Sequence, residues 1–169
     1  MKPKIRRYRA AGGVVLNTLP QAVGLKPYGG SAASQVLLLE RDVIRDGHPL
    51  HEIRLPKGKI ETGESDAQAA LREVGEESGY WSVQILADLG EARTRYIFHE
   101  KQTERDEHYF LMALTSDDRA GQRMDPRKEE AKFQPRWAKN LDEAQRLLTY
   151  DDEKQFIARA RAALQGRGA

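Results

Sequence analysis

Apolar and polar positions change period several times along the chain, and each change marks an element. After Ser65, the residues Ala67, Ala70, Leu71 and Val74 recur at i, i+3, i+4 and i+7, the single stripe of an amphipathic helix. Ser65 followed three residues later by Gln68 is a capping-box start, and Gly79 lacks the Cβ that a left-handed C-terminal cap disfavours. Upstream, AAGGVVLN reads as a strand with glycines at a close backbone approach, and QVLLLERD (35–42) holds the unbroken apolar run of a buried central strand. Trp81 to Ile85 alternates, and EARTRYIFHEKQ continues extended. Alternation there puts Tyr96 and Phe98 on one face, expected in the core, with Arg93, Arg95 and Ile97 facing outward. EHYFLMALTS (107–116) and KFQPRWAK supply later strands. Asn140 with Glu143 resembles a second capping box, ahead of an apolar face of Leu141, Ala144, Leu147 and Leu148. A last helix carries Phe156, Ile157, Ala160, Ala163 and Leu164 on one side. Strands alternating with a few helices indicate an α/β fold.

Between these elements the pattern lapses. Residues 19–34 are rich in Gly, Pro, Ala and Ser and read as an inserted loop; VIRDGHPL, HEKQTERDE and DDRAGQRMDPRKEEA read as further loops. His48 and His51 in the first of these lack a matched ligand set and read as solvated histidines. Residues 1–9 form a basic arm, either merely solvated or steering phosphate, and residues 165–169 a frayed tail.

A chain of 169 residues suits one domain spanning 1–169. The net charge of +2, with both signs mixed, speaks against a stable nucleic-acid complex. There are no cysteines, which fits a reducing, cytoplasmic setting. No run approaches the roughly 18 apolar residues of a membrane span, and the basic N-terminus has no apolar segment after it.

The helix after Ser65 also carries the candidate chemistry. Glu73 and Glu77 stack one turn apart with Glu76 on the adjoining flank, all off the apolar stripe. Like charges at i, i+4 cost an isolated helix about 0.2–0.5 kcal/mol. A divalent cation would turn that repulsion into attraction; a solvated acidic face is the plain alternative. Arg72 lies one turn before Glu76, where its fork can hold carboxylates. Lys57 and Lys59 bracket Gly58, either as solubilising charges or as contacts to phosphate. Arg93 and Arg95 have the same two readings, solvent exposure or forked bonds to phosphate.

The spacing adds more. Gly58, five residues, Glu64, seven residues, then REVGEESGY (72–80) is similar to the Nudix box over 23 residues, with aromatic Tyr80 where an aliphatic residue is commoner. The PKGK turn, the YFLM strand and the late Arg-Trp extend the resemblance, in the manner of diadenosine tetraphosphate and other polyphosphate hydrolases. It implies a Nudix α/β/α sandwich, a mixed sheet between helices with the box as loop–helix–loop. It further implies a pyrophosphohydrolase using Mg²⁺, with Mn²⁺ as substitute, held by Glu73, Glu76, Glu77 and a backbone carbonyl near Lys57 or Gly58. Arg72 and Glu64 would hold the glutamates, and Glu129 or Glu130 would assist metal binding or water activation. The implied substrate is a dinucleoside polyphosphate or a nucleoside triphosphate. ADP-ribose or a diphosphoinositol polyphosphate is the alternative, as is a nucleotide sensor that does not cleave. Nothing in the pattern fixes the oligomeric state.

Overall fold

The computed structural model describes residues 4–18, 34–121 and 125–167, with backbone alone for residues 129, 130 and 167. Seven strands form one mixed sheet: β1 (Arg6–Leu16), β2 (Val36–Arg45), β3 (His48–Arg54), β4 (Lys57–Lys59), β5 (Val83–Phe98), β6 (Lys101–Leu114) and β7 (Gln134–Ala138). The order is β3-β2-β1-β6-β5, with β4 paired to β1 and β7 to β2. Only the β1–β6 pair among these is parallel. Helix α1 (Asp66–Ser78) covers one face, and α2 (Leu141–Leu147) and α3 (Asp151–Arg167) cover the other.

Alternation along the strands sorts the core into these two layers. Ala11, Val15, Leu37, Phe110 and Met112 meet Ala69, Ala70 and Val74 of α1. Val14, Leu16, Leu38, Tyr109 and Leu111 meet Ala144, Phe156, Ile157 and Ala160. Each Leu, Val, Ile or Phe buried this way contributes about 1.5–3 kcal/mol. The result is the expected α/β/α sandwich.

Helix α1 begins and ends as its sequence requires. Ser65 Oγ accepts the Gln68 N–H while Gln68 Oε1 accepts the Ser65 N–H. Gly79 is left-handed at φ 84° and its N–H donates to the Gly75 carbonyl. At α2, Asn140 Oδ1 accepts the Glu143 N–H, but Glu143 turns to the Lys139 N–H, so the box is only half formed.

Several polar stretches depart from the sequence expectation. Arg6 to Arg9 of the basic arm belong to β1 and pair with Thr103 to Asp106 of β6. The polar segment after His99 is likewise strand, because its inward positions Thr103 and Glu107 are buried. VIRDGHPL is a hairpin turning on Asp46 and Gly47, both at positive φ, as an Asp-Gly turn allows. His51 sits on β3, between Asp42 and Glu40. Phe98 is exposed rather than core, since the tip of the β5–β6 hairpin lies beyond both helical layers. Residues 165–167 continue α3 instead of fraying. The expected loop 19–34 falls, except for Ser34, outside the described residues.

Candidate active site

The site forms where α1 lies over β4. Three residues of β4 pair with Ala10, Ala11 and Gly12 of β1, and Pro56 contributes its carbonyl to the Gly13 N–H (3.1 Å). With β4 fixed, the Lys57 N–H donates to Glu77 Oε1 at 2.8 Å. Gly58 lies directly beneath Glu73, where a Cβ would stand 2.0 Å from the Glu73 carboxyl carbon. Only glycine leaves that space for the carboxylate. Gly75 serves packing instead, since a Cβ there would strike the Trp81 ring.

Arg72 organises the remaining acids. Its fork donates to both oxygens of Glu64 (2.7 and 2.9 Å), to Glu73 (2.7 Å), to Glu76 (3.1 Å) and to the Lys59 carbonyl (3.0 Å). One planar cation thus serves three carboxylates and the end of β4, which lysine's point charge would not match. Arg72 also holds the Glu64 carboxyl below the usual carboxylate range.

Glu73 and Glu77 are buried, with Glu77 at 2% exposure. Burial, then the neighbouring Glu73, pushes the Glu77 carboxyl well above its ordinary value. Burial likewise raises Glu73, and Arg72 opposes it only in part. Two neighbouring buried carboxylates are costly unless cations compensate them.

Behind β4 lies a second set of charges that sequence pattern did not single out. Glu153 of α3 is 1% exposed. It accepts the Leu55 N–H (2.9 Å), Lys57 Nζ (2.7 Å) and Arg54 Nε (3.3 Å). Buried Glu107 of β6 pairs with Arg105 and stands 3.9 Å from Lys57 Nζ. Pairing with residues almost a hundred positions away leaves no local signal. The partner nearest to a sequence cue is Glu107, at an inward position of an otherwise apolar strand.

Not every expected site residue comes together. Lys57 directs its ammonium into this buried set, not toward solvent, because α3 covers that face of β4. Lys59 is exposed at the end of β4. Arg93 and Arg95 stand on β5, separated from β4 by β1 and β6, and are tied to Asp106 and Glu104 of β6. Glu130 lies in a 3-10 turn at Glu129–Lys132, and its side chain is outside the described residues.

Elsewhere, the ligand atoms of Asp66, Glu91 and His108 lie within 4.8 Å of one another. Arg9 already supplies the cation there, donating to Asp66 and Glu91, while His108 bridges Asp66 and Asp88 at 2.7 Å each. That group ties the start of α1 to the sheet.

A model of the NUDIX domain matches residues 19–160. The chain belongs to the NUDIX family. This family in general hydrolyses pyrophosphate bonds of small nucleotide substrates with divalent metals. A curated Mycobacterium tuberculosis (strain CDC 1551 / Oshkosh) relative, "Putative mutator protein MutT4", is 34% identical over 103 residues. That match covers 61% of this chain and only 37% of the relative's length. Among solved structures, the Ap4A hydrolase of C. elegans in a binary complex superposes with a TM-score of 0.60 at 22% identity. The superposition covers 94% of this chain and 98% of that one. A NUDIX hydrolase from Nitrosomonas europaea gives a TM-score of 0.62 at 20% identity, covering 93% and 90%. These likenesses show the NUDIX fold, over 94% and 93% of this chain. Among the described residues no helix is long and apolar enough to cross a membrane.

Proposed function

We propose that this protein is a Mg²⁺-dependent pyrophosphohydrolase that cleaves a nucleoside diphosphate linked to a further group, with a dinucleoside polyphosphate or a nucleoside triphosphate as substrate. The observation that carries the reading is the pair of buried carboxylates, Glu73 set over Gly58 and Glu77 held by the Lys57 N–H. The donors fit the ion: Mg²⁺ takes oxygen ligands, often one or two carboxylates with water and phosphate completing the shell. Glu73, Glu76 and Glu77 would hold it, with the Gly58 carbonyl as a further oxygen. When bound, Mg²⁺ neutralises phosphate oxygens and acidifies a water.

The chain's own residues do the rest. Arg72 and Glu64 orient the carboxylates and stop them from turning to solvent. Lys57 acts through its backbone N–H on Glu77. Exposed Lys59 is placed to meet a substrate phosphate as a point charge. Glu130 keeps its proposed assisting role from the family resemblance alone. The dinucleoside polyphosphate is favoured by the PKGK wording and by the C. elegans neighbour, itself an Ap4A hydrolase.

The test is a panel of nucleoside triphosphates, dinucleoside polyphosphates, ADP-ribose and a diphosphoinositol polyphosphate with Mg²⁺, reading both products by chromatography. Turnover abolished by chelator and restored by Mg²⁺, fastest on a dinucleoside polyphosphate or triphosphate, is expected. Saturable nucleotide binding with no turnover on any member would make the protein a sensor and refute the proposal.

A further inference from the structure

We propose that Glu153, on a helix distant in sequence from the box, is a positioning residue for the metal-binding carboxylates, acting through the backbone of β4; this rests on the metal-dependent reading above. The segment from Arg54 to Gly58 must present two things to α1: the Lys57 N–H to Glu77, and the bare face of Gly58 to Glu73. Pro56 has no N–H, so this stretch has one donor fewer with which to pin itself. Its carbonyl is taken by the Gly13 N–H, and β1 holds the far edge of β4. The entry to β4 is held from the other layer by Glu153.

Three donors from this one segment converge on the Glu153 carboxylate: the Leu55 N–H, Lys57 Nζ and Arg54 Nε. Leu55 and Lys57 are both buried, so neither donor has water as a substitute partner. Burial pushes the Glu153 carboxyl up, but Lys57 and Arg54 outweigh it and keep the group ionised. The chain of contacts is therefore continuous: Glu153 to the Lys57 ammonium, the Lys57 backbone to Glu77, and the next residue, Gly58, beneath Glu73. Lys57 thus has an ammonium role different from phosphate contact. Its charge reaches back to α3 while its N–H reaches forward to α1.

A group that orients a metal ligand at one remove commonly costs about 10–100-fold in metal affinity or activity when altered. The test is Mn²⁺ binding to the metal-free protein, without nucleotide, followed by electron paramagnetic resonance. Glu153→Gln keeps the shape and an acceptor for Leu55 but loses the charge; Lys57→Met leaves Glu153 its other two donors. Asp151→Asn, at an exposed carboxylate in the same turn of α3, is the control. Both variants are expected to stay folded by circular dichroism and to bind Mn²⁺ about tenfold or more weakly. D151N is expected to bind as wild type. Where turnover is measured, kcat should fall while KM stays within about twofold, since no substrate contact is removed.

Either folded variant that binds Mn²⁺ as tightly as wild type overturns the proposal and leaves the metal-dependent reading standing. Loss of folding in both also overturns it, because the contacts would then hold the domain together and not place β4. Wild-type protein that binds no Mn²⁺ overturns the metal-dependent reading itself, and this one with it.

Discussion

Gly58→Ala separates the geometry of the site from the stability of the fold. The added Cβ would stand 2.0 Å from the Glu73 carboxyl carbon and 2.2 and 2.3 Å from its oxygens. Ordinary carbon contact is about 3.5 Å, so the carboxylate must retreat by about 1.5 Å. It can do so cheaply, because it is the free end of a flexible side chain. Retreat breaks the 2.7 Å bond from Arg72 and moves one metal ligand. A displacement of about 1 Å in a positioned catalytic group costs on the order of 100-fold in rate. Stability should change by less than about 1 kcal/mol, because the lost Arg72 contact is offset by the lower unfolded-state entropy of alanine. Gly12→Ala is the contrast: its Cβ would meet the Pro56 carbonyl oxygen at 2.4 Å and Lys57 Cβ at 2.6 Å. The carbonyl is held by the Gly13 N–H and Lys57 lies in β4, so neither can swing away and about 1–3 kcal/mol of stability should be lost. The assay is steady-state hydrolysis of the best substrate in saturating Mg²⁺, with urea unfolding of each variant. G58A with kcat within threefold of wild type, or destabilised as much as G12A, would refute the reasoning.

Glu77→Gln keeps an acceptor for the Lys57 N–H and removes the repulsion between buried carboxylates, so turnover should fall about 100-fold while thermal stability holds or rises; a lowered melting point with near-normal activity would contradict this. Ser65→Ala removes the acceptor for the Gln68 N–H and should cost about 1 kcal/mol, checked by calorimetry. His108 gives the pH dependence: burial lowers its pKa, but Asp66 and Asp88 outweigh that and raise it above 6.5. A raised folded value means the stabilisation is fully present below 6.5 and is lost as pH climbs through the folded pKa. Asp66, held low by Arg9, works in the opposite sense and loses its contribution only on acidification below 3.8. Urea unfolding across this range should show stability declining on the alkaline side in wild type, and His108→Gln should make that decline shallower.

What could be read from sequence was local. Ser65, Gln68 and Gly79 specify the ends of α1 within a few residues, and the helix forms with both caps as expected. The same spacing brings Gly58 beneath Glu73 and Glu64 onto Arg72. The polar strands were not legible, because their burial depends on partners far along the chain. Arg9 looks like part of a solvated arm until Asp66 and Glu91 are placed beside it. Lys57 and Lys59 look equivalent, yet α3 covers one and leaves the other in water. The hairpin at Asp46 and Gly47 did have a local cue, the Asp-Gly pair, obscured by flanking polar residues. Arg93 and Arg95 face outward as alternation predicts, but strand order sets β1 and β6 between them and β4.

The central claim is that the box carboxylates are held for a divalent cation. Anomalous scattering from crystals soaked with Mn²⁺ and a non-hydrolysable nucleotide analogue tests it most directly. The account predicts a peak among Glu73, Glu76 and Glu77, next to the Gly58 carbonyl and the analogue's phosphates. Density absent there, or confined to Asp66, Glu91 and His108, would contradict it.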